Sequence, residues 1–187
     1  MNFNWLAFAV YSASLSGQQA FPVRFAHAEI GRNVRICLDG RTFESAFAGK
    51  LRFQDETHSW LSVCADVRSP ITEGQFFAVK ARGSADLGGN LTKAGNIVAR
   101  WFSAARTPDQ CAGLQIAVWE AIEDGDARPD FLGGRFQVIA SPAVMAYAQS
   151  YYQSIGQSGN ATYLQTTAGA GGGQTGGGGG GQGQMSE

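Results

Sequence analysis

Beyond residue 33, hydrophobic and polar positions alternate in short runs that are separated by turn residues. Residues 34–38 alternate in this way and end at Asp39-Gly40, a strong turn dipeptide. Such alternation predicts strands with one buried face. Short strands with a turn signal about every ten residues are typical of an antiparallel β-sandwich or partial barrel. The same pattern predicts strands at residues 42–47, 50–53, 60–67 and 75–80.

The hydrophobic period changes from two to 3.6 residues near Leu91. Apolar residues recur at helical spacing over residues 91–105, which predicts a helix. A second helix is predicted to start at Pro108 and to end at Asp124-Gly125, a good stop signal. Its broad apolar stripe indicates packing into a core. The stripe has one polar member, Gln115, which either satisfies an internal group or takes part in chemistry.

The rest of the chain predicts one more strand, at residues 135–139, and a helix at residues 142–155. Residues 161–165 are interpreted as an edge strand. The predicted fold class is therefore α+β. It consists of an antiparallel β-sandwich, a small helical lobe over residues 91–125, and the closing C-terminal helix.

The chain of 187 residues divides into three parts, with the globular domain at residues 31–158. Residues 1–30 are interpreted as a signal peptide or other N-terminal extension, since Ala26-His27-Ala28 resembles a signal peptidase site. A buried N-terminal strand or helix remains the alternative, because the short apolar run at residues 5–11 has no preceding Lys or Arg. Residues 159–187 are predicted to form a flexible tail, because they are rich in Gly.

Composition excludes several function classes. The net charge of −1 gives no electrostatic reason for binding nucleic acid or an anionic membrane, and no stretch is long enough for a membrane span. The two histidines lie far apart, and no Cys/His spacing suggests a metal site. There is no phosphate-binding loop, nucleophile elbow or triad candidate. We therefore expect no cofactor, no metal and no enzyme activity.

The three cysteines are an odd number, so at least one thiol lies outside any intrachain disulfide. Cys37 and Cys111 would suit a disulfide in an exported protein, and two separate buried thiols are the alternative. Cys111 also lies four residues before Gln115, close to the spacing of complement-type thioesters. However, that motif has a Glu before its Gln and one residue fewer, and a regular helix would orient the two side chains wrongly.

Six segments, in order along the chain, resemble the bacterial thioester domains. The resemblance is closest to the branch found in secreted proteins of Gram-negative bacteria that often carry PEP-CTERM sorting tails. The segment LQIAVWEA is similar to the family signature LQLAIWE, and SVCADV followed by ITEGQFF resembles its FCVDL strand pair. AGNIVARW resembles the family's AG.IAWL helix, and GRFQV with AYAQSYY resembles its closing segment. These segments lie at residues 62–67, 71–77, 94–101, 114–121, 134–138 and 146–152.

In that family a Cys sulfur and a Gln side-chain carbonyl form an internal thioester, which implies Cys64 and Gln115 as the pair here. Asp66, on the same predicted strand face as Cys64, is a candidate to orient the site or to accept a proton. Trp119 and Trp60 are candidates for an apolar wall that slows hydrolysis. Cys64→Ala and Gln115→Ala are both expected to abolish amine adducts and to leave the fold intact.

The resemblance implies a secreted or cell-surface protein that attaches covalently to an amine or hydroxyl of a surface protein or glycan. The alternative is a non-covalent structural or extracellular-matrix protein on the same fold. In that case Cys64 is a small buried hydrophobic residue, and Gln115 satisfies a buried backbone group.

Overall fold

A computed structural model describes residues 5–9, by their backbone alone, and residues 19–167. The described chain combines helices and one antiparallel sheet, which confirms the mixed helix-and-sheet class. The strands are β1 (Trp5–Ala9), β2 (Phe21–Leu38), β3 (Glu44–Gln54), β4 (Ser59–Cys64), β5 (Phe76–Gly83), β6 (Phe136–Ile139) and β7 (Thr162–Thr166). The helices are α1 (Gly89–Trp101), α2 (Pro108–Glu123) and α3 (Pro142–Tyr152).

All the strands belong to one sheet, so the predicted division into two facing sheets is not observed. The long strand β2 pairs with β3 along one edge, and with β5 and then β6 along the other. The strand β3 also pairs with β4, β4 with β1, β1 with β7, and β7 with β5. Followed from strand to strand, the hydrogen-bonded pairings run from β2 through β3, β4, β1, β7 and β5 and back to β2.

Two predicted strand boundaries are wrong in an instructive way. The predicted strand at residues 34–38 is only the end of β2, and the predicted strands at 42–47 and 50–53 are one continuous strand, β3. Gly49, which separates those two predicted strands, does not end a strand but pairs across the sheet with Gly31. A Cβ atom at Gly31 would lie 2.1 Å from the Ala48 carbonyl oxygen, so the two backbones approach too closely for a side chain there.

Parts of the predicted N-terminal extension and of the predicted tail take part in the sheet. Residues 21–30 belong to β2, and Val23 and Phe25 are buried there. The run at residues 5–9 forms β1, which is the strand alternative. The predicted edge strand is β7, but it lies between β1 and β5, so α3 is not the final element. The predicted flexible segment beyond residue 167 lies outside the described residues.

The helix α2 is the central element of the fold. It starts at the predicted Pro108, which takes a first-turn position, and Thr107 and Gln110 form a reciprocal capping box around it. Every residue from 111 to 121 is buried, because one side of α2 packs on β2 and β3 while other sides meet α1 and α3. A buried, well-capped helix is rigid, so it can hold a side chain in a defined position against the sheet.

Candidate functional site

The side chain of Gln115 lies against the backbone of Cys64. Its Oε1 accepts a hydrogen bond from the Cys64 backbone N–H at 2.7 Å, and its Nε2 donates to the Cys64 carbonyl oxygen at 2.7 Å. Gln115 is only 1% exposed, so both bonds form away from bulk water. The structure therefore brings together the two residues that the resemblance pairs, and their chemical role stays a prediction.

The position of this contact follows from where the sheet opens. The ladder between β3 and β4 runs from Gln54↔Ser59 to Lys50↔Val63. The next residue on β4, Cys64, bonds to Gln115 instead of to a neighbouring strand on that side. The Gln115 carboxamide thus lies where β3 and β4 separate, and it satisfies the backbone groups of Cys64 that the β3–β4 ladder leaves unpaired.

The Cys64 thiol is held in its protonated form. Burial raises its pKa to about 12, and the negative charge of Asp66 acts in the same direction. The hydrogen bond to the Asp66 main chain and the nearby Trp119 indole oppose this shift but are outweighed. The sulfur donates to the Asp66 carbonyl oxygen at 3.1 Å. At neutral pH this group is therefore a thiol rather than a ready thiolate.

Asp66 lies near the sulfur, although the strand β4 ends at Cys64, so Asp66 does not continue its face. The main-chain carbonyl of Asp66 accepts from the thiol at 3.1 Å. Its carboxylate Oδ1 accepts from the backbone N–H groups of Arg68 at 2.9 Å and Ser69 at 3.2 Å, and so shapes a turn. A part for Asp66 in orienting the site stays a prediction.

Trp119 lies beside Cys64, as expected of a shielding side chain. It is 3% exposed, and its indole Nε1 meets no acceptor at full hydrogen-bonding geometry among the described residues. Trp60, the other candidate wall, belongs to a core cluster with Phe53 and Leu51, and Cys64 packs against that cluster as well as against the cluster that contains Trp119. Both indoles therefore belong to the apolar surroundings of Cys64.

A cavity of about 880 Å³ reaches the pair from outside. Cys64 and Trp119 contribute to its lining. Most of the remaining lining comes from two continuous stretches, residues 44–47 of β3 and residues 66–73 after β4. We call this cavity the β3 groove. It gives a molecule in solution a path to Cys64.

The other two cysteines are separate from this site. All three thiols are free, which is the unbridged alternative for Cys37 and Cys111. Cys37 donates to the Arg41 carbonyl oxygen at 2.7 Å, and Cys111 donates to that of Ala105 at 3.4 Å. Cys111 therefore contacts the loop between α1 and α2.

Sequence reasoning missed two buried charged residues. Glu120 would suit the solvated face of a helix, but it is 1% exposed, and its Oε1 accepts from the Asp130 backbone N–H at 2.7 Å. Burial raises its pKa to about 7. Lys50 is 6% exposed and donates to the carbonyl oxygens of Phe102 and Ala105 at 2.7 and 2.6 Å. For both Glu120 and Lys50, the only sign of burial in the sequence is a single charged residue within an apolar run.

Comparisons of the chain with protein-family models, with curated proteins and with solved structures find no match. The pairing of Cys64 with Gln115 therefore rests on the residue pattern and on the geometry of the fold. Among the described helices, none combines the length and apolar character needed to cross a bilayer. Within the same residues, no group of three or more His, Cys, Asp or Glu side chains is arranged to hold a metal ion.

Proposed function

We propose that this domain forms an internal thioester between Cys64 and Gln115 and transfers the Gln115 acyl group to an amine or hydroxyl on a surface protein or glycan. The protein would then act in covalent attachment at a cell surface. The observation that carries the proposal is the pair of 2.7 Å hydrogen bonds between the Gln115 carboxamide and the Cys64 backbone. They hold the Gln115 carboxamide against the backbone of Cys64, the residue whose sulfur would attack it.

These two bonds suit the chemistry of thioester formation. The Cys64 N–H already donates to Oε1, where negative charge develops when the sulfur attacks the amide carbon. The Cys64 carbonyl holds Nε2, which becomes the leaving group. In the balanced step the sulfur–carbon bond forms and the carbon–nitrogen bond breaks. The thiol proton passes to the nitrogen, and ammonia leaves.

Proximity has to supply most of the driving force, because a thiol with a pKa of about 12 is a weak nucleophile at neutral pH. Holding two groups in attack geometry is equivalent to a very high local concentration, on the order of 10⁵ M or more. The buried helix α2 and the end of β4 provide such fixed positions. In the transfer step, an acceptor amine attacks the thioester carbonyl and its proton passes to the departing sulfur, which restores the thiol.

One observation favours the second candidate, a non-covalent structural or extracellular-matrix protein. The Gln115 carboxamide satisfies two backbone groups that would otherwise be buried without partners. This is a sufficient structural reason for a glutamine at that position. In that case the same contact stabilises the fold and no bond forms.

Intact mass distinguishes the two candidates. The proposal expects the purified protein to lie about 17 Da below the mass of its sequence, and methylamine to add about 31 Da, as loss of ammonia and aminolysis require. Cys64→Ala and Gln115→Ala should show the full sequence mass and no methylamine adduct. Cys111→Ala is the matched control and should keep both changes. A wild-type protein at full mass, unreactive to methylamine, would leave the structural protein as the better account.

A further inference from the structure

The lining of the β3 groove shows how it is oriented on the sheet. Four consecutive residues of β3, residues 44–47, all line it. Successive side chains of a strand point to opposite faces, so a cavity over one face would meet only every second residue. The groove therefore passes around the edge of β3, and side chains of β2 also reach it, namely those of Phe25, Ala28, Ile36 and Leu38.

That edge has no strand beside it in the described part of the chain. The strand β3 pairs with β2 from Glu44 to Gln54, but with β4 only from Lys50 to Gln54. Over residues 44–49, the side of β3 away from β2 is thus left without a ladder partner. Unpaired strand edges present N–H and C=O groups that bind another extended chain.

The other lining stretch, residues 66–73, is anchored in place. Arg68 binds Asp39 at 2.6 Å and Glu123 at 2.6 Å, which ties this stretch to the turn after β2 and to the end of α2. At its far end, the backbone N–H of Gly74 donates to the Phe25 carbonyl oxygen at 2.8 Å. The groove is therefore formed before any ligand binds, which lowers the entropic cost of docking.

The charges along the groove favour a basic occupant. Its lining includes three carboxylates, those of Glu44, Asp66 and Glu73. Of the two guanidinium groups in the lining, that of Arg68 is already paired with carboxylates outside the groove, which leaves the one of Arg41. A lysine side chain thus meets a net negative lining on its way to Cys64.

We propose that the β3 groove binds an extended, lysine-bearing peptide segment, which adds to β3 along residues 44–47 and presents its lysine amine to the Cys64–Gln115 pair. This inference rests on the proposed thioester function for its chemical outcome, but docking does not require the bond. Four paired residues cover about 13 Å at about 3.3 Å per residue, so a heptapeptide spans the edge. The substrate class is therefore a protein segment without regular structure of its own, rather than a glycan.

Docking is tested by fluorescence anisotropy with a labelled heptapeptide in which Thr and Val alternate around a central Lys. The full-length protein is expected to bind this peptide, and to bind at least tenfold more weakly a version N-methylated at alternate backbone positions, which cannot pair with a strand edge. Ser45→Trp places a bulky side chain in the groove and should weaken binding at least tenfold. Ser158→Trp, a change at an exposed residue outside the groove, is the matched control and should bind as the wild type does. Equal binding of the two peptides, or no effect of Ser45→Trp, would overturn the inference.

A second measurement separates failure of docking from failure of the thioester. Hydroxylamine is small and uncharged at neutral pH, so its mass adduct reports the bond itself. If the bond forms, the heptapeptide should couple at least tenfold faster than Nα-acetyl-lysine amide at equal concentration. Equal coupling rates with a normal hydroxylamine adduct would overturn the docking inference and leave the thioester standing. Peptide binding without any hydroxylamine adduct would support docking and overturn the thioester.

Discussion

The Gln115 carboxamide bonds to a single residue, Cys64, through both its oxygen and its nitrogen. This determines what the truncation of Gln115 should do to stability. The carbonyl end and the amino end both bond to the Cys64 backbone in a buried position. A side chain that merely filled space would lose only packing when truncated. Here two backbone groups would lose their partners as well.

Gln115→Ala should therefore destabilise the domain by roughly 2–6 kcal/mol, because each of the two buried backbone groups left without a partner costs about 1–3 kcal/mol. The sequence predicts that both this change and Cys64→Ala leave the fold intact, and the geometry revises that prediction for Gln115 only. Cys64→Ala keeps the backbone groups that Gln115 binds and serves as the control. Urea unfolding of the three proteins measures the difference. Equal midpoints for Gln115→Ala and the wild type would show that the two bonds contribute nothing.

At the scale of elements, α2 is held between the sheet and α3 by a close helix contact. Gly113 faces α3, and a Cβ atom there would lie 2.5 Å from the Cβ of Tyr147 and 2.9 Å from the backbone nitrogen of Ala148. Neither of those atoms belongs to a flexible side-chain end. The two helix axes can therefore approach only because position 113 has no side chain.

Gly113→Ala should destabilise the domain by about 1–3 kcal/mol through overpacking, although alanine is the better helix former by about 1 kcal/mol. Ser150→Ala, at an exposed position of α3, is the control and should change stability by less than about 0.5 kcal/mol. Thermal unfolding followed by circular dichroism checks both. A stabilised Gly113→Ala protein would mean that α2 and α3 are not packed this closely.

At the scale of the whole molecule, folding stability should depend on pH through Glu120. Burial raises the pKa of this carboxyl from 4.5 to about 7, so the folded protein holds a proton that the unfolded chain has already released. Between those two values the folded state binds more protons, and stability therefore falls as pH rises. The loss is complete above about pH 7, and below pH 4.5 it is absent.

Glu120→Gln should remove this dependence, because glutamine is neutral and can keep the hydrogen bond from the Asp130 backbone. The wild type should lose up to about 3 kcal/mol relative to the variant between pH 5 and pH 8, by the linkage between pKa and stability. Urea unfolding at the two pH values measures the difference. Parallel changes in the two proteins would show that Glu120 ionises as freely in the folded state as in the unfolded one.

The sequence by itself determined the local features. The capping box at Thr107, the stop after Glu123 and the change of period near Leu91 all depend on neighbouring residues, and each marks a helix close to the predicted place. The choice of Cys64 and Gln115 came from short segments that resemble the bacterial thioester domains. A cap or a motif can be recognised in this way because all its parts lie within a few positions of each other.

Only the tertiary structure decided how distant segments meet. Gly49 looks like a turn signal in the sequence, but it lies inside β3 and pairs with Gly31 of β2. A glycine is needed there because the backbone of the other strand comes too close for a side chain. Glu120 is buried because the segment up to Asp130 folds back over it. The carboxamide of Gln115 meets the Cys64 backbone only because the sheet opens one residue past Val63. Such contacts depend on strand pairing between segments far apart in the chain, and local periodicity carries no information about that pairing.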